Sequence, residues 1–161
     1  MLVVSDTSPI ANLVLINQLG LLEILFGEII VPPAVDFEIR QLNTLGEDIS
    51  AYESSSWIIV QNPSSLNLVL QLRDSLDQGE SEAIILAKEL GCDLLLLDER
   101  RGTQIARSNG LATIGLLGVL SMAKSSKHIK MVGPLLDELE RKAGFWLGQK
   151  LRNSFLSDHG E

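Results

Sequence analysis

Short apolar runs recur along this chain, and between them apolar positions return every three or four residues. The runs fall at 2–5, 29–31, 57–60, 94–97 and 112–114. An unbroken apolar run of this length is what a strand buried on both faces presents; the longer return is the mark of a helix with one face on a core. The helical stretches have legible ends. Pro9 opens the first, with Thr7 or Ser8 as N-cap, and Gly20 divides it in two before Gly27. Pro32-Pro33 ends the second strand and starts a helix over 33–42. The polar stretch 43–56 reads as a loop with some helix, and 57–60 as an edge strand. Mixed periodicity covers 66–76, and Asp77-Gln78-Gly79 is a turn. The clearest helix runs over 80–90, closed by Gly91. Further helices are expected at 99–108, stopped by Asn109-Gly110, and at 116–124, 132–143 and 147–155.

Strands that alternate with helices predict βαβ units, a mainly parallel sheet and right-handed crossovers, hence an α/β fold. With 161 residues and no internal repeat or linker, one domain over 1–156 is expected, followed by a frayed tail at 157–161.

Composition narrows the reading. Apolar residues make up 45% and aromatics only 4%, so the core must be Leu, Ile, Val and Ala. A formal net charge of -8 argues against a general nucleic-acid coat. It leaves room for an enzyme whose carboxylates bind cations. Cys92 is the one cysteine, so neither an internal disulfide nor a thiolate metal site is expected. His128 and His159 are isolated and receive no role. Phe145-Trp146 is expected in the core or at a dimer contact. The apolar region 9–31 is interrupted by Asn12, Asn17, Gln18, Glu23 and Glu28, and no basic segment precedes it. It does not read as a membrane span or a signal peptide, so a cytoplasmic protein is expected.

The acids carry the chemistry. Asp6 and Asp98 each follow a buried apolar strand directly. In open parallel sheets ligands bind beyond the carboxyl ends of the strands, where these two side chains would converge. The bland alternative is that each caps the next helix. In the helix over 33–42, Ala34, Val35, Ile39 and Leu42 share an arc with Glu38 at its middle, while Asp36 and Arg40 lie opposite. In the next acidic helix Ala83, Ile84, Leu86, Ala87 and Leu90 share a face centred on Glu80. Glu82, two residues on, must face elsewhere. Here too there is a bland alternative, since an acid in a first turn is favoured by the helix dipole. Glu38, mid-helix, has no such excuse. Four inward acids without a partner repel one another and hold protons tightly. An all-oxygen site suits Mg²⁺ or Mn²⁺, and such ions assist hydrolysis of phosphodiesters.

The segments Val4-Ser5-Asp6-Thr7-Ser8, Val31-Pro32-Pro33-Ala34-Val35 with Glu38-Ile39, Gly79-Glu80-Ser81-Glu82-Ala83-Ile84, and Leu96-Leu97-Asp98-Glu99-Arg100 resemble the successive motifs of PIN-domain proteins. Order and spacing match over about residues 1 to 125, and the likeness is nearest to the prokaryotic branch similar to VapC-type toxins. The resemblance implies a three-layer α/β/α sandwich and a Mg²⁺- or Mn²⁺-dependent ribonuclease. It maps the metal-binding acids onto Asp6, Glu38, Glu80 and Asp98, with a hydroxyl from Thr7 or Ser8. It also implies a small antitoxin partner and a homodimer. Two features depart from the commonest pattern: the third acid is Glu80 with Glu82 as competitor, and the acid after Asp98 is Glu99. Candidate RNA contacts are Arg100, Arg101 and Arg107 after the fourth motif and the basic strip Lys124, Lys127, His128 and Lys130. A solvated surface explains either equally well.

Other readings fare worse. A haloacid-dehalogenase-like phosphatase wants a second Asp where Ser8 stands, and no G-x-G-x-x-G or Walker A sequence supports a nucleotide-binding domain. The serious rival is a catalytically weak or inactive PIN-like interaction protein, since function resides in the site and not the fold.

Overall fold

The computed structural model describes residues 1–161. Five short strands, β1 (Val3–Ser5), β2 (Ile29–Val31), β3 (Ile58–Val60), β4 (Leu94–Leu96) and β5 (Thr113–Ile114), form one sheet in the order β3-β2-β1-β4-β5. Every pairing is parallel. Ten helices surround it: α1 (Thr7–Leu15), α2 (Gly20–Phe26), α3 (Pro33–Thr44), α4 (Ser50–Glu53), α5 (Leu66–Leu72), α6 (Gln78–Leu90), α7 (Arg100–Ser108), α8 (Leu116–Ser125), α9 (Gly133–Ala143) and α10 (Gln149–Asp158).

The three central strands β2, β1 and β4 are almost wholly apolar because both their faces are covered, and their two-residue alternation sorts the side chains into two cores. Val3, Ile29, Val31 and Leu96 join the larger one with residues of α1, α2, α3, α8, α9 and α10. Val4, Ile30, Leu95 and Leu97 join the smaller one, with Ala83, Ile84, Leu86 and Ala87 of α6 and Ala106 of α7. The result is a three-layer α/β/α sandwich. The edge position of β3 matches the expectation for 57–60, and its Ile59 and Val60 are exposed.

The strand order sets the place of the site. The chain lays down β1, β2 and β3 in one direction, then returns to put β4 on the other side of β1. Between β1 and β4 the order therefore reverses, which opens a crevice at the carboxyl ends of the two strands. Ser5 is in register with Leu96, and the Asp6 amide donates to the Leu96 carbonyl at 2.9 Å.

Two expectations are corrected and a third is narrowed. The N-cap of α1 is Asp6, not Thr7 or Ser8, because the chain stays extended through Asp6 and turns at Thr7. The tail at 157–161 is not frayed. Helix α10 continues to Asp158, the Glu161 amide donates to the Leu156 carbonyl at 2.8 Å, and Glu161 accepts from Lys124 Nζ at 2.6 Å and the Val132 amide at 2.8 Å. The pair Phe145-Trp146, expected in the core or at a dimer contact, divides: Phe145 is partly buried, and Trp146 is 71% exposed and so outside the core.

Candidate metal centre

Asp6 leaves β1 into the crevice and is only 4% exposed. Its carboxylate makes no capping bond to α1, so the capping alternative fails for this residue. Oδ1 is buried with no hydrogen-bond partner. Burial, only partly offset by the Thr7 amide, pushes its pKa up to about 7, and the charges of Glu80, Asp77 and Glu38 add to the rise.

Glu38 comes from α3, which starts at Pro33 because the preceding Pro32 cannot continue the strand. Val35 and Ile39 are buried against the core, which turns the half-buried Glu38 toward the same crevice. The Thr7 hydroxyl donates to Glu38 Oε2. Burial raises Glu38 as well, against the lowering effect of that hydroxyl, with Asp77 and Glu82 adding repulsion.

Glu80 lies in the first turn of α6 and is 8% exposed. Burial comes first among the causes that push it to about 7, followed by the charges of Asp77 and Glu99. Glu82 faces another way: its Oε1 accepts from the Ala34 amide at 3.3 Å and its Oε2 from Gln78 at 2.5 Å. Of the two, Glu80 is buried and Glu82 half-buried.

Asp98 is the odd member. It stands two residues beyond Leu96, the register partner of Ser5, and its Oδ1 turns to the amide of Leu116 at the start of α8, at 2.9 Å, rather than toward the other acids. It caps a helix, though not the one that follows it. Its Oδ2 is buried without a partner, and burial raises its pKa, partly offset by the Leu116 amide. Gly115 makes this possible, since a Cβ there would stand 2.4 Å from Asp98 Oδ1. Glu99 is committed elsewhere, capping α7 through the Gly102 amide at 2.6 Å.

The structure thus brings Asp6, Glu38 and Glu80 within electrostatic reach of one another, ties Asp98 to the start of α8, and leaves Glu82 and Glu99 as caps and braces. Ser8 is exposed. Sequence reading missed Asp77, which caps α6 through the Glu80 amide at 2.8 Å and acts electrostatically on all three clustered acids. The available signal was an acid three residues before Glu80, the usual spacing of a cap. All five ion pairs of the molecule lie elsewhere, so no cation of the protein neutralises the group. The three buried side-chain atoms that lack partners are Asp6 Oδ1, Asp98 Oδ2 and the hydroxyl of Ser81, next to Glu80. As they stand, no three of the acids are spaced to close on one ion. The donor set is all oxygen, with two orphaned carboxylate atoms, and that chemistry fits a hard divalent cation.

The basic residues divide as well. Arg100 and Arg101 are exposed on an open groove with Ser75, Glu99, Gln104 and Ile105, and Arg101 donates to Ser75 at 3.2 Å. Lys124 lies eight residues into α8, roughly 12 Å along the axis from its Asp98-bound end. Its ammonium is occupied by Glu161 and the His159 carbonyl. Lys127, just beyond, is exposed with a left-handed backbone.

A family model described as a PIN domain, DUF3368, matches residues 2–161. The chain belongs to the PIN-domain family, whose members are generally nucleases that use divalent metals. Among solved structures it is similar to a PilT N-terminus domain protein, SSO1118, from the hyperthermophilic archaeon Sulfolobus solfataricus P2. That likeness has 23% identity and a TM-score of 0.51, and covers 75% of this chain and 92% of the other; it bears on the fold alone. No curated protein matches the chain. No helix is long and apolar enough to cross a membrane.

Proposed function

We propose that this chain is an endoribonuclease that hydrolyses RNA phosphodiester bonds with Mg²⁺ or Mn²⁺ held by Asp6, Glu38, Glu80 and Asp98. The observation that supports this most is Asp6: a carboxylate 4% exposed, with an orphaned oxygen, among acids and without a basic partner. A charge so placed is costly unless something from outside the chain neutralises it. When bound, the cation supplies an activated water and offsets the charge that builds on the phosphoryl group. The protein's own part is placement. The Thr7 hydroxyl fixes Glu38, the Leu116 amide fixes one oxygen of Asp98 and frees the other, and the α6 start presents Glu80. Arg100 and Arg101 offer phosphate contacts along the groove beside Glu99.

In the fuller form of this reading the enzyme works in the cytoplasm as a homodimeric toxin restrained by a small antitoxin protein. Its support is the likeness of the four motifs to VapC-type toxins; the exposed Trp146 suits a dimer contact. Growth arrest on expression, relieved by a neighbouring small reading frame, tests it.

The deciding experiment is cleavage of a mixed single-stranded RNA with Mn²⁺, with Mg²⁺ and with EDTA, beside Asp6→Asn. Metal-dependent cleavage lost in the variant is the expected result; cleavage that persists in EDTA overturns it. One observation favours a second reading, that of an interaction protein with little or no activity: the acids are not spaced to close on one ion. Failure of the wild type to bind Mn²⁺ would put that reading first.

A further inference from the structure

Asp77 has a use beyond capping. Its Oδ1 accepts the Glu80 amide at 2.8 Å, and no hydrogen bond of the protein occupies Oδ2. The turn it begins wraps the Glu38 carboxylate, since a Cβ on Gly79 would stand 3.0 Å from both oxygens of Glu38. Asp6, buried and with Oδ1 unpartnered, lies within electrostatic reach of it, as do Glu38 and Glu80. Asn and Ser cap helices about as well as Asp. The helix dipole favours a negative charge at this position by up to about 1 kcal/mol at a surface. Against that stands repulsion from three neighbouring carboxylates, with no ion pair of the protein to relieve it. A charge where a neutral cap would serve makes physical sense if a cation shares the space.

We propose that Asp77 is a fifth carboxylate of the centre, presenting Oδ2 to the divalent cation that Asp6, Glu38 and Glu80 attract while Oδ1 caps α6. This rests on the metal-dependent reading above. It predicts that Asp77 has two separable roles, of which only capping survives a change to a neutral residue. The test is calorimetric titration of Mn²⁺ into the wild type, Asp77→Asn and Asp77→Ser, with melting of each in EDTA. Both variants should bind Mn²⁺ about tenfold more weakly, the scale of losing a supporting group at a metal site. Their melting temperatures in EDTA should equal or exceed that of the wild type. Isotherms that superpose on the wild type overturn the proposal. So does weaker binding matched by an equal fall in metal-free stability, because capping is then the residue's whole role. A wild type that takes up no Mn²⁺ defeats the metal-dependent reading itself, and is recognised because it needs no variant.

Discussion

Asp6 and Glu161 are both acids set against neighbouring elements, and the protein treats them in opposite ways. Glu161 receives an ammonium from Lys124 and the amides of Val132 and Gly133 where α9 begins. Those donors, the Lys124 side chain foremost, outweigh the desolvation of the carboxylate and hold its pKa down at about 2. Asp6 is enclosed by apolar strands and other acids, and burial drives it to about 7. At one end of the molecule the chain supplies every partner a carboxylate needs. At the other it withholds them, although helix ends and lysines were equally available to the fold. The contrast separates an acid that fastens the structure from acids that wait for a ligand.

Exchanging the two kinds of acid for neutral isosteres should break the symmetry most plainly. Asp6→Asn should lower cleavage by at least roughly a thousandfold, since the lost term is several kcal/mol of charge stabilisation. The same variant should melt higher than the wild type in EDTA at pH 8. A lower melting temperature there would mean that Asp6 stabilises the apo fold and that the contrast is false. Next in size is Gly115→Ala, which drives a methyl group to 2.4 Å from Asp98 Oδ1 and must displace that carboxylate. Mn²⁺ affinity should fall about tenfold with little loss of helix content; an unchanged isotherm would exclude Asp98 from the centre.

Proton linkage sharpens the comparison further. Asp6 and Glu80 titrate at about 7 when folded, against ordinary values of 3.8 and 4.5. Between those limits the folded, metal-free chain holds protons that the unfolded chain has released, so stability falls as pH rises through that window. Mn²⁺ should therefore raise the melting temperature by roughly 5 °C or more at pH 8 and by little at pH 5. Equal shifts at both would show that these acids are not what the ion meets. Glu161 runs the other way: its contribution is complete above about 4.5 and fades as pH falls toward 2. Glu161→Gln should cost about 1 kcal/mol at neutral pH, read by denaturant unfolding, and leave RNA cleavage untouched at 25 °C. A loss of cleavage would join the two ends of the molecule in one function.

What the sequence disclosed follows the reach of each interaction. The central strands were legible because burial on both faces leaves almost no polar position, and Glu38 because Val35, one turn before it, and Ile39, next to it, fix the face of α3. The deeper burial of Glu80 than of Glu82 follows from the same kind of local geometry. The orientation of Asp98 was not, because its partner is an amide 18 residues on, across β5. The tail was misjudged for that reason too: polar residues 157–161 look loose until Lys124, Val132 and Gly133 meet Glu161. Asp77 stayed hidden because its local role, capping, already accounts for an Asp there. Trp146 was expected in the core or at a dimer contact on the habit of large aromatics, and nothing in its neighbours' pattern marks it as exposed in the single chain.

The reversal between β1 and β4 also has a consequence for synthesis. Asp6 leaves the ribosome well ahead of the strand that closes the crevice beside it, which ends at Leu96 and bears Asp98 just beyond. Until that length has emerged, β1 has one open edge, and the acids already made have no wall against which to converge. A growing chain therefore carries Asp6, Glu38 and Glu80 before the strand that completes their surroundings exists.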